Sequence, residues 1–384
     1  MNIIKKILPM RIINLVTKKY IERPIYNVCN RSGKRKVLIS YITKPFKSKS
    51  FSHTNFYTAN VIAKIFDEIG YVVDVMNYNA QIPDLRDYEV IYGFGDVFQK
   101  YFESGVDRKK TIYYGTGMHV CHQNEISLER VRSVYRKKGV WLARSARFVE
   151  KTWTHQTSLV DGIIALGNEK CAQTYRRHFD GKIYSLPNTY FQILDPNSIL
   201  SVRRRSANKS YLWFGSSGLI HKGLDLCLDF FKSRTDLTLH ICGNIYSEPW
   251  FIKAYHRELF ETPNIIAHGF VNIEDEKFSK ILEDCSFLIF PSCSEGGSPS
   301  VLTTVGNGAL IPIISSECSV STGSQIWIDG FTVEALAQAV DYSQSLSSEE
   351  IYELQKMNLK YVQEENSQVK FYERLKVAVE EVIS

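Results

Sequence analysis

The stretch that decides the fold is FPSCSEGGSPSVLTTVGNGALIPIIS, which runs from Phe290 to Ser315. It begins at the end of an apolar run that is typical of a buried strand, and passes through a turn that contains Glu295, Gly296 and Gly297. A short helical stretch and a second apolar run follow. Strand, polar turn, helix and strand is the repeating unit of α/β proteins. The stretch therefore predicts a parallel sheet with a polar turn at its carboxyl edge.

This turn has the chemistry of a site for an anionic ligand that also carries hydroxyl groups. Free N–H groups and the dipole at a helix N-terminus both attract negative charge. Gly296 and Gly297 allow the main chain to approach a ligand closely, and Glu295 can accept hydrogen bonds from hydroxyl groups. A hydroxyl acceptor beside a cradle for phosphate predicts a sugar nucleotide as the ligand.

Length and composition indicate a soluble globular protein with two domains. The 384 residues exceed the size of one ordinary core, and 44% of them are hydrophobic while 23% are charged. No apolar run reaches the roughly 18 residues of a membrane-spanning helix, and no signal peptide is evident. The eight cysteines are scattered without a C-x-x-C pair, which indicates reduced thiols and a cytoplasmic location.

Residues 1–30 form a basic amphipathic segment. Ten lysines and arginines but only one acid, Glu22, precede Val37, and they alternate with isoleucine, leucine and valine. Such a segment can lie on an anionic membrane surface, which would make the protein peripheral at the inner face of the membrane. The alternative is a helix packed on the first domain with its lysines in water. Aromatic–basic motifs of RNA-binding modules are absent, so no nucleic-acid partner is predicted.

Strand-like and helix-like segments alternate in two series, which begin at Lys36 and Ser210. The region 185–209 between them contains prolines, asparagines and three consecutive arginines, and is the predicted linker. We therefore predict an α/β fold in which two Rossmann-like, doubly wound domains face each other across a cleft. Residues 31–200 would form the first (acceptor) domain and 201–365 the second (donor) domain. A C-terminal helix in 366–384 would pack back on the first.

A second polar turn precedes Lys222 in the predicted second domain. Ser216, Ser217 and Gly218 offer N–H and O–H donors, and Lys222 offers a compact positive charge, to a diphosphate. The spacing is not that of a P-loop. Alone, such a turn is more often plain architecture. Together with the turn at Glu295, it favours a phosphate site.

Three motifs in this half resemble, in order and spacing, the donor domain of the retaining glycosyltransferases of family 4, which have the two-domain GT-B fold. They are FGSSGLIHKGLD (214–225), HGFVNIEDEKFSKILEDCSFLIFPS (268–292) and EGGSPSVLTTVGNGALIPII (295–314), and PNTYF (187–191) is similar to the family's Pro-Asn hinge. The resemblance covers residues 185–340 well, and the first half in layout only. It implies a hexosyltransferase that moves a sugar from a nucleotide sugar to a glycan or lipid-linked acceptor with retention, in the synthesis of cell-surface polysaccharide or glycoconjugate.

The resemblance also implies roles for the matching residues. Lys222 would neutralise the diphosphate, Glu295 would hold the sugar hydroxyls in the reaction, and the turn at 269–271 would lie beside the base. The implied donor site comprises Ser216, Ser217, Lys222, Gly269, Phe270, Val271, Glu295, Gly296, Gly297, Ser298 and Thr303. The nucleotide sugar is a co-substrate. No cofactor or metal is predicted, because no D-x-D follows an apolar strand.

Two residues depart from the family's pattern. Thr303 stands eight residues after Glu295, where the family has a second glutamate for the ribose hydroxyls. Ser217 stands five residues before Lys222, where the family usually has an arginine. A threonine hydroxyl can bind a ribose only without charge assistance, and Ser217 removes a cation from the diphosphate site. Either the donor is held differently, or activity is reduced or absent.

Histidines and arginines of the first half are the candidates for the opposite side of the cleft. Family members carry a histidine there that contacts the reacting sugar, and His119 is favoured because it closely follows a strand, with His122 second. The alternative is a loop histidine that caps a helix or lies in water. His53 could shape the acceptor pocket. Arg144 and Arg147 could bind a phosphorylated or lipid-linked acceptor, although a solvated helix face is an equal alternative.

Two other functions remain open at the level of sequence. A catalytically degenerate GT-B protein could act as a binding or scaffolding partner, which the departures at Thr303 and Ser217 make conceivable. A sugar-nucleotide epimerase on the same fold would need several acids and bases around the sugar, and the sequence shows no such set. Nucleotide binding and donor turnover discriminate between these readings.

Overall fold

A computed structural model describes residues 24–51, 53–151, 153, 156–203 and 205–384. The predicted membrane-binding segment, residues 1–30, lies largely outside these residues. No helix in the described part of the chain combines the length and the apolar character that a membrane span needs.

The described residues form two sheets, each with six parallel strands. The first sheet contains β1 (Lys36–Tyr41), β2 (Val72–Asn77), β3 (Val90–Gly93), β4 (Lys110–Gly115), β5 (Gly162–Leu166) and β6 (Lys182–Leu186). The second contains β7 (Ser210–Phe214), β8 (Thr238–Cys242), β9 (Ile265–Gly269), β10 (Phe287–Phe290), β11 (Ile311–Ser315) and β12 (Ile326–Ile328).

The strand order places one switch point in each sheet. The first sheet has the order β2-β1-β3-β4-β5-β6, so the chain adds β2 on one side of β1 and the later strands on the other side, and the order reverses between β1 and β3. The second has the order β12-β11-β10-β7-β8-β9, which reverses between β7 and β10. Ligands of open α/β sheets bind at such points, beyond the carboxyl ends of the strands. The loops after β7 and β10, which contain Lys222 and Glu295, therefore flank the switch point of the second sheet.

Helices cover both sheets. They are α1 (Asn55–Glu68), α2 (Asp96–Glu103), α3 (Val120–Lys138), α4 (Glu169–Arg176), α5 (Pro196–Val202), α6 (Leu224–Phe231), α7 (Pro249–Ala254), α8 (His256–Phe260), α9 (Glu276–Asp284), α10 (Pro299–Gly308), α11 (Val333–Ser345), α12 (Ser348–Glu365) and α13 (Gln368–Ile383). The predicted linker is partly regular, since it contains the end of β6 and α5.

Two helices cross between the domains. Helix α13 buries Phe371, Leu375 and Val379 against the first sheet, and Gly162 of β5 allows it to approach: a Cβ there would lie 2.6 Å from Cγ2 of Val382. Helix α3 follows a strand of the first sheet, yet Val131 belongs to the core of the second domain. The first half of the chain thus contributes a helix to the second domain's packing.

Candidate active site

A cavity of about 450 Å³ lies between the carboxyl edges of the two sheets. This volume lies in the range of sites for small molecules. Ten residues of the predicted site line it: His53, Arg147, Ser216, Ser217, Lys222, Phe270, Val271, Glu295, Gly296 and Thr303. Both domains contribute, so the described residues bring most of the predicted donor site together at one place.

Lys222 and Glu295 form an ion pair at the base of this cavity. Nζ of Lys222 donates to Oε1 of Glu295, and the hydroxyl of Ser292 donates to the same oxygen over 3.0 Å. Burial would raise the pKa of Glu295, but the positive charges of Lys222 and Arg147 lower it to about 2. Glu295 is therefore an anion at neutral pH. Its free lone pairs and the ammonium of Lys222 can face a ligand together.

The turn after Glu295 packs closely against the first domain, which explains why residues 296 and 297 are glycines. A Cβ on Gly296 would lie 2.3 Å from the carbonyl oxygen of Thr116 in the loop after β4. The amide of Asn188 donates to the carbonyl of Gly296 over 3.1 Å. Gly297 has a φ of +71° and packs against Asn188. Gly296 lines the cavity, whereas Gly297 serves the contact between the domains.

Ser298 and Gly269, predicted to contact the donor, are not among the described residues that line the cavity. Ser298 is buried, and its hydroxyl donates to the carbonyl of Cys318 over 2.8 Å. Gly269 ends β9 with a φ of +73° and lies beside the ring of Tyr246. Both residues shape the backbone of their loops, and their contact with the donor stays a prediction.

The loop after β7 is fixed by a carboxylate that the sequence analysis missed. Oε1 of Glu248 accepts hydrogen bonds from the backbone N–H groups of Gly218 and Leu219. These two N–H groups are therefore already satisfied by a protein anion. Ser216 and Ser217, by contrast, are exposed at the cavity. An anionic ligand can therefore use the cations beside the loop but not these two amides.

Arg147, predicted on the acceptor side, lies against the loop of the second domain. Its Nη2 donates to the hydroxyl of Ser216 and to the carbonyl of Ser217, each over 3.2 Å. Arg144 lies three residues earlier, in the short helix Ala143–Ser145, and is exposed outside the cavity. The structure thus separates the two arginines and brings only Arg147 to the predicted donor site.

Phe270 and Thr303 occupy the rest of the predicted nucleotide site. The ring of Phe270 is 65% exposed, which leaves its face open to a planar ligand such as a base. Thr303 lies on α10 and faces the cavity, and its hydroxyl has no hydrogen-bond partner in the described part of the chain. It can accept or donate one neutral hydrogen bond.

His119, predicted to contact the reacting sugar, lies outside the cavity. Its ring is 1% exposed: Nδ1 accepts from the N–H of Cys121, and Nε2 lies 3.0 Å from the hydroxyl of Thr157. His119 thus caps the N-terminus of α3, which is the alternative that the sequence analysis gives for this histidine. Burial, reinforced by the fields of His178 and His122, lowers its pKa to about 4.

The ring of His119 also stacks on that of His178, with centroids 4.0 Å apart. These two histidines and Cys121 form a group that brings three metal-ligating atoms together. The nitrogens of His119 are engaged by Cys121 and Thr157, however, so the ring does not offer a free ligand atom.

His122 and His53 have different environments. His122 lies in the first turn of α3, outside the cavity, and its Nε2 has no hydrogen-bond partner among the described residues. His53 does line the cavity, and its Nδ1 accepts from the N–H of Asn55 over 3.1 Å. Desolvation of the ring by the surrounding protein, and then the positive charges of Arg147 and Lys222, lower the pKa of His53. His53 is thus a neutral histidine that faces the ion pair.

No protein-family model matches this chain, and no curated protein is significantly similar to it in sequence. Solved structures, however, resemble it over nearly its full length. HepE (Alr3699) of Anabaena, determined in complex with UDP and glucose, has a TM-score of 0.55 and 10% identity, over 91% of this chain and 100% of that chain.

Two further structures agree with this likeness. A glycosyltransferase of Rickettsia africae has a TM-score of 0.57 and 12% identity, over 92% of this chain and all of its own. The trehalose-6-phosphate protein of E. coli bound with UDP-2-fluoro glucose has a TM-score of 0.58 and 9% identity, over 91% and 98%. At such identities the likeness concerns the fold. The chain has the GT-B glycosyltransferase fold, which confirms the predicted α/β architecture of two facing Rossmann-like domains.

Proposed function

We propose that this protein is a glycosyltransferase that moves a sugar from a nucleotide sugar to a glycan or lipid-linked acceptor. The observation that carries the proposal is the pair of Lys222 and Glu295, which presents a cation and a hydroxyl acceptor side by side at a switch point. UDP sugars are the first donors to test, because HepE was determined with UDP and with UDP-glucose, and the E. coli protein of the same fold with UDP-2-fluoro glucose.

In the proposed reaction, the bond between the anomeric carbon and the terminal phosphate oxygen breaks, and its electron pair leaves with the nucleoside diphosphate. The acceptor hydroxyl oxygen bonds to that carbon and releases its proton. Lys222 would stabilise the charge that develops on the leaving diphosphate. Glu295 would hold the sugar hydroxyls, Thr303 the ribose, and Phe270 the base.

We further propose that the reaction proceeds with retention. Glu295 is the one carboxylate among the described residues that line the cavity, and it is paired with Lys222. It is therefore a poor general base for attack from the opposite face. The leaving diphosphate would accept the proton of the acceptor on the same face. Proton NMR of the first product distinguishes this route from inversion, in which the neutral His53 would be the base.

Thermal unfolding with UDP-, GDP-, ADP- and CMP-linked sugars tests the proposal. A ligand at a hundredfold excess over its dissociation constant stabilises the native state by about 2.7 kcal/mol. We expect one nucleotide class to raise the Tm, and the chromatographic detection of released nucleotide to follow it. An unchanged Tm with every donor would contradict the proposal and favour the scaffolding alternative. Recovery of an isomerised donor without transfer would favour the epimerase.

We also propose that the basic N-terminal segment holds the enzyme at an anionic membrane surface on the cytoplasmic side, close to a lipid-linked acceptor. The full chain should then sediment with vesicles that contain phosphatidylglycerol, and deletion of residues 1–23 should abolish this. Equal sedimentation of both proteins would argue against it.

A further inference from the structure

The second domain lacks a cation at Ser217, and a guanidinium from the first domain lies at that position. Nη2 of Arg147 is 3.2 Å from the carbonyl oxygen of Ser217 and 3.2 Å from Oγ of Ser216. A Cβ built on the next residue, Gly218, would lie only 3.1 Å from Nε of Arg147. The guanidinium therefore packs closely on the loop that ends at Lys222, although 69 residues separate Arg147 from Ser216.

The guanidinium of Arg147 is not paired with a carboxylate within the described structure. No carboxylate of the described residues forms a salt bridge with it, and its two hydrogen bonds go to uncharged oxygens. Its side chain is exposed to the cavity that Lys222 also lines. The N–H groups of Gly218 and Leu219 are occupied by Glu248. An anion in this part of the cavity thus meets Lys222 and Arg147 as its strongest donors.

The backbone around Arg147 is fixed to the same loop. The N–H groups of Ile220 and His221 both donate to the carbonyl of Ser145, over 3.1 and 3.2 Å. The side-chain amide of Gln123 donates to the carbonyl of Arg147 itself. These contacts join the segment after α3 to the loop after β7. Arg147 is therefore positioned by both domains.

We infer that Arg147 supplies, from the first domain, the second cation of the diphosphate site that Ser217 cannot supply from the second. The inference rests on the proposed function. It reassigns Arg147 from the acceptor to the donor, and it means that one diphosphate is held by residues of both domains. A planar guanidinium can donate two parallel hydrogen bonds to a phosphate, which a serine cannot.

Titration of the full chain with UDP by calorimetry, and with uridine by ligand-observed NMR, tests this inference. We expect Arg147→Gln to weaken UDP binding by about tenfold to a hundredfold, the usual range for a charged hydrogen bond, and to leave uridine binding unchanged. Arg132→Gln is the matched control, because it removes one exposed positive charge from α3. It should leave UDP affinity within about twofold, since screened surface charges contribute little.

A rescue experiment distinguishes diphosphate binding by Arg147 from a purely structural role, because it restores the positive charge from position 217. Ser217 is exposed, so an arginine fits there once the side chain of Arg147 is gone. Arg147→Ala/Ser217→Arg should bind UDP more tightly than Arg147→Ala alone. The inference is overturned if Arg147→Gln binds UDP as tightly as the native chain, or loses UDP and uridine equally. Failure of the native chain to bind UDP, GDP, ADP and CMP would instead overturn the proposed function together with this inference.

Discussion

At the scale of single residues, Lys222 and Glu295 form an ion pair with each other and would contact different parts of a donor. A buried ion pair is a demanding arrangement, because loss of one partner leaves a charge without compensation. The role of each residue is therefore best tested with a substitution that keeps most of the side-chain volume. Glutamine in place of either residue keeps most of the volume and the hydrogen-bonding capacity while it removes the charge.

We predict that the two substitutions separate nucleotide from sugar binding. Glu295→Gln should weaken the binding of the intact UDP sugar by about tenfold or more and leave UDP alone unaffected, because the carboxylate would bind sugar hydroxyls. Lys222→Gln should weaken both ligands, because the ammonium would bind the diphosphate. Calorimetric titration measures the two affinities. Equal losses of UDP affinity in both variants would contradict these assignments.

A second prediction concerns the close contact at Gly296. Gly296→Ala would place a methyl group 2.3 Å from the carbonyl oxygen of Thr116, so the two loops must separate. Such overpacking costs about 1–3 kcal/mol, and we expect a lower Tm together with weaker donor binding. Gly33→Ala is the matched control, since its nearest atom, on Val72, would be 3.6 Å away. Equal Tm values for both variants would refute this account of Gly296.

Sequence predicted those site residues whose role is local. Lys222 and Glu295 each follow a strand of the second sheet within a few residues, so the strand pattern alone placed them at one edge. The contact of Arg147 with Ser217 has no signal in the sequence, because it depends on how two domains meet. His119 and His53 both follow strands, but only the conformation of each loop decides that His119 turns back to cap α3 while His53 faces the cavity.

At the scale of elements, α3 joins the two domains through a buried ion pair. Arg130 donates two hydrogen bonds to Asp225 of α6, over 2.8 and 2.6 Å, and both side chains are nearly inaccessible to solvent. Burial raises the pKa of Asp225 even though Arg130 opposes this effect. This contact was not predictable from the sequence, because α3 is dominated by charged and polar residues and its apolar face is narrow.

We predict that the loss of one partner of this pair destabilises the protein, whereas the replacement of both partners by apolar residues costs little stability. Arg130→Met should destabilise the protein by about 3–5 kcal/mol, because it leaves the buried carboxylate of Asp225 unpaired. Arg130→Met/Asp225→Leu should recover most of that loss. Thermal unfolding of the full chain measures both effects. A double variant no more stable than the single one would show that the pair is not the source of the loss.

At the scale of the whole molecule, buried histidines predict how stability depends on pH. Burial lowers the pKa values from the ordinary 6.5 to about 4 for His119, about 3 for His221 and about 4 for His268. The unfolded chain therefore binds protons at these sites from about pH 6.5 downward, whereas the folded chain does not. Their contribution to stability is complete above pH 6.5 and is lost progressively as the pH falls toward 4.

We accordingly expect the Tm to fall between pH 7.5 and 5.5, before most carboxylates are protonated. His119→Asn should flatten this decline, and His256→Asn, at a position with 60% side-chain exposure, should not. A Tm that is constant or rises as the pH falls over this interval would contradict the assignment of neutral buried histidines.

The architecture of the molecule was accessible from sequence because alternating strands and helices repeat in both halves, and the strand order then places the cavity. Helices α3 and α13 each pack against the other half of the chain. Helix α13 buries a regular apolar stripe, from Phe371 to Val379, which is recognisable in the sequence from the spacing of its apolar residues. The packing of α3 depends on contacts between distant residues that no local pattern encodes.

A crystal structure of the full chain with UDP tests the central claim most directly. We predict that UDP occupies the cavity between the sheets, with its diphosphate within hydrogen-bonding distance of Nζ of Lys222, its ribose at Thr303 and its base beside Phe270. The measured distance between Lys222 and the nearest phosphate oxygen should be about 3 Å. A nucleotide bound elsewhere, or a cavity that none of UDP, GDP, ADP and CMP occupies at saturation, would contradict the account of this protein as a glycosyltransferase.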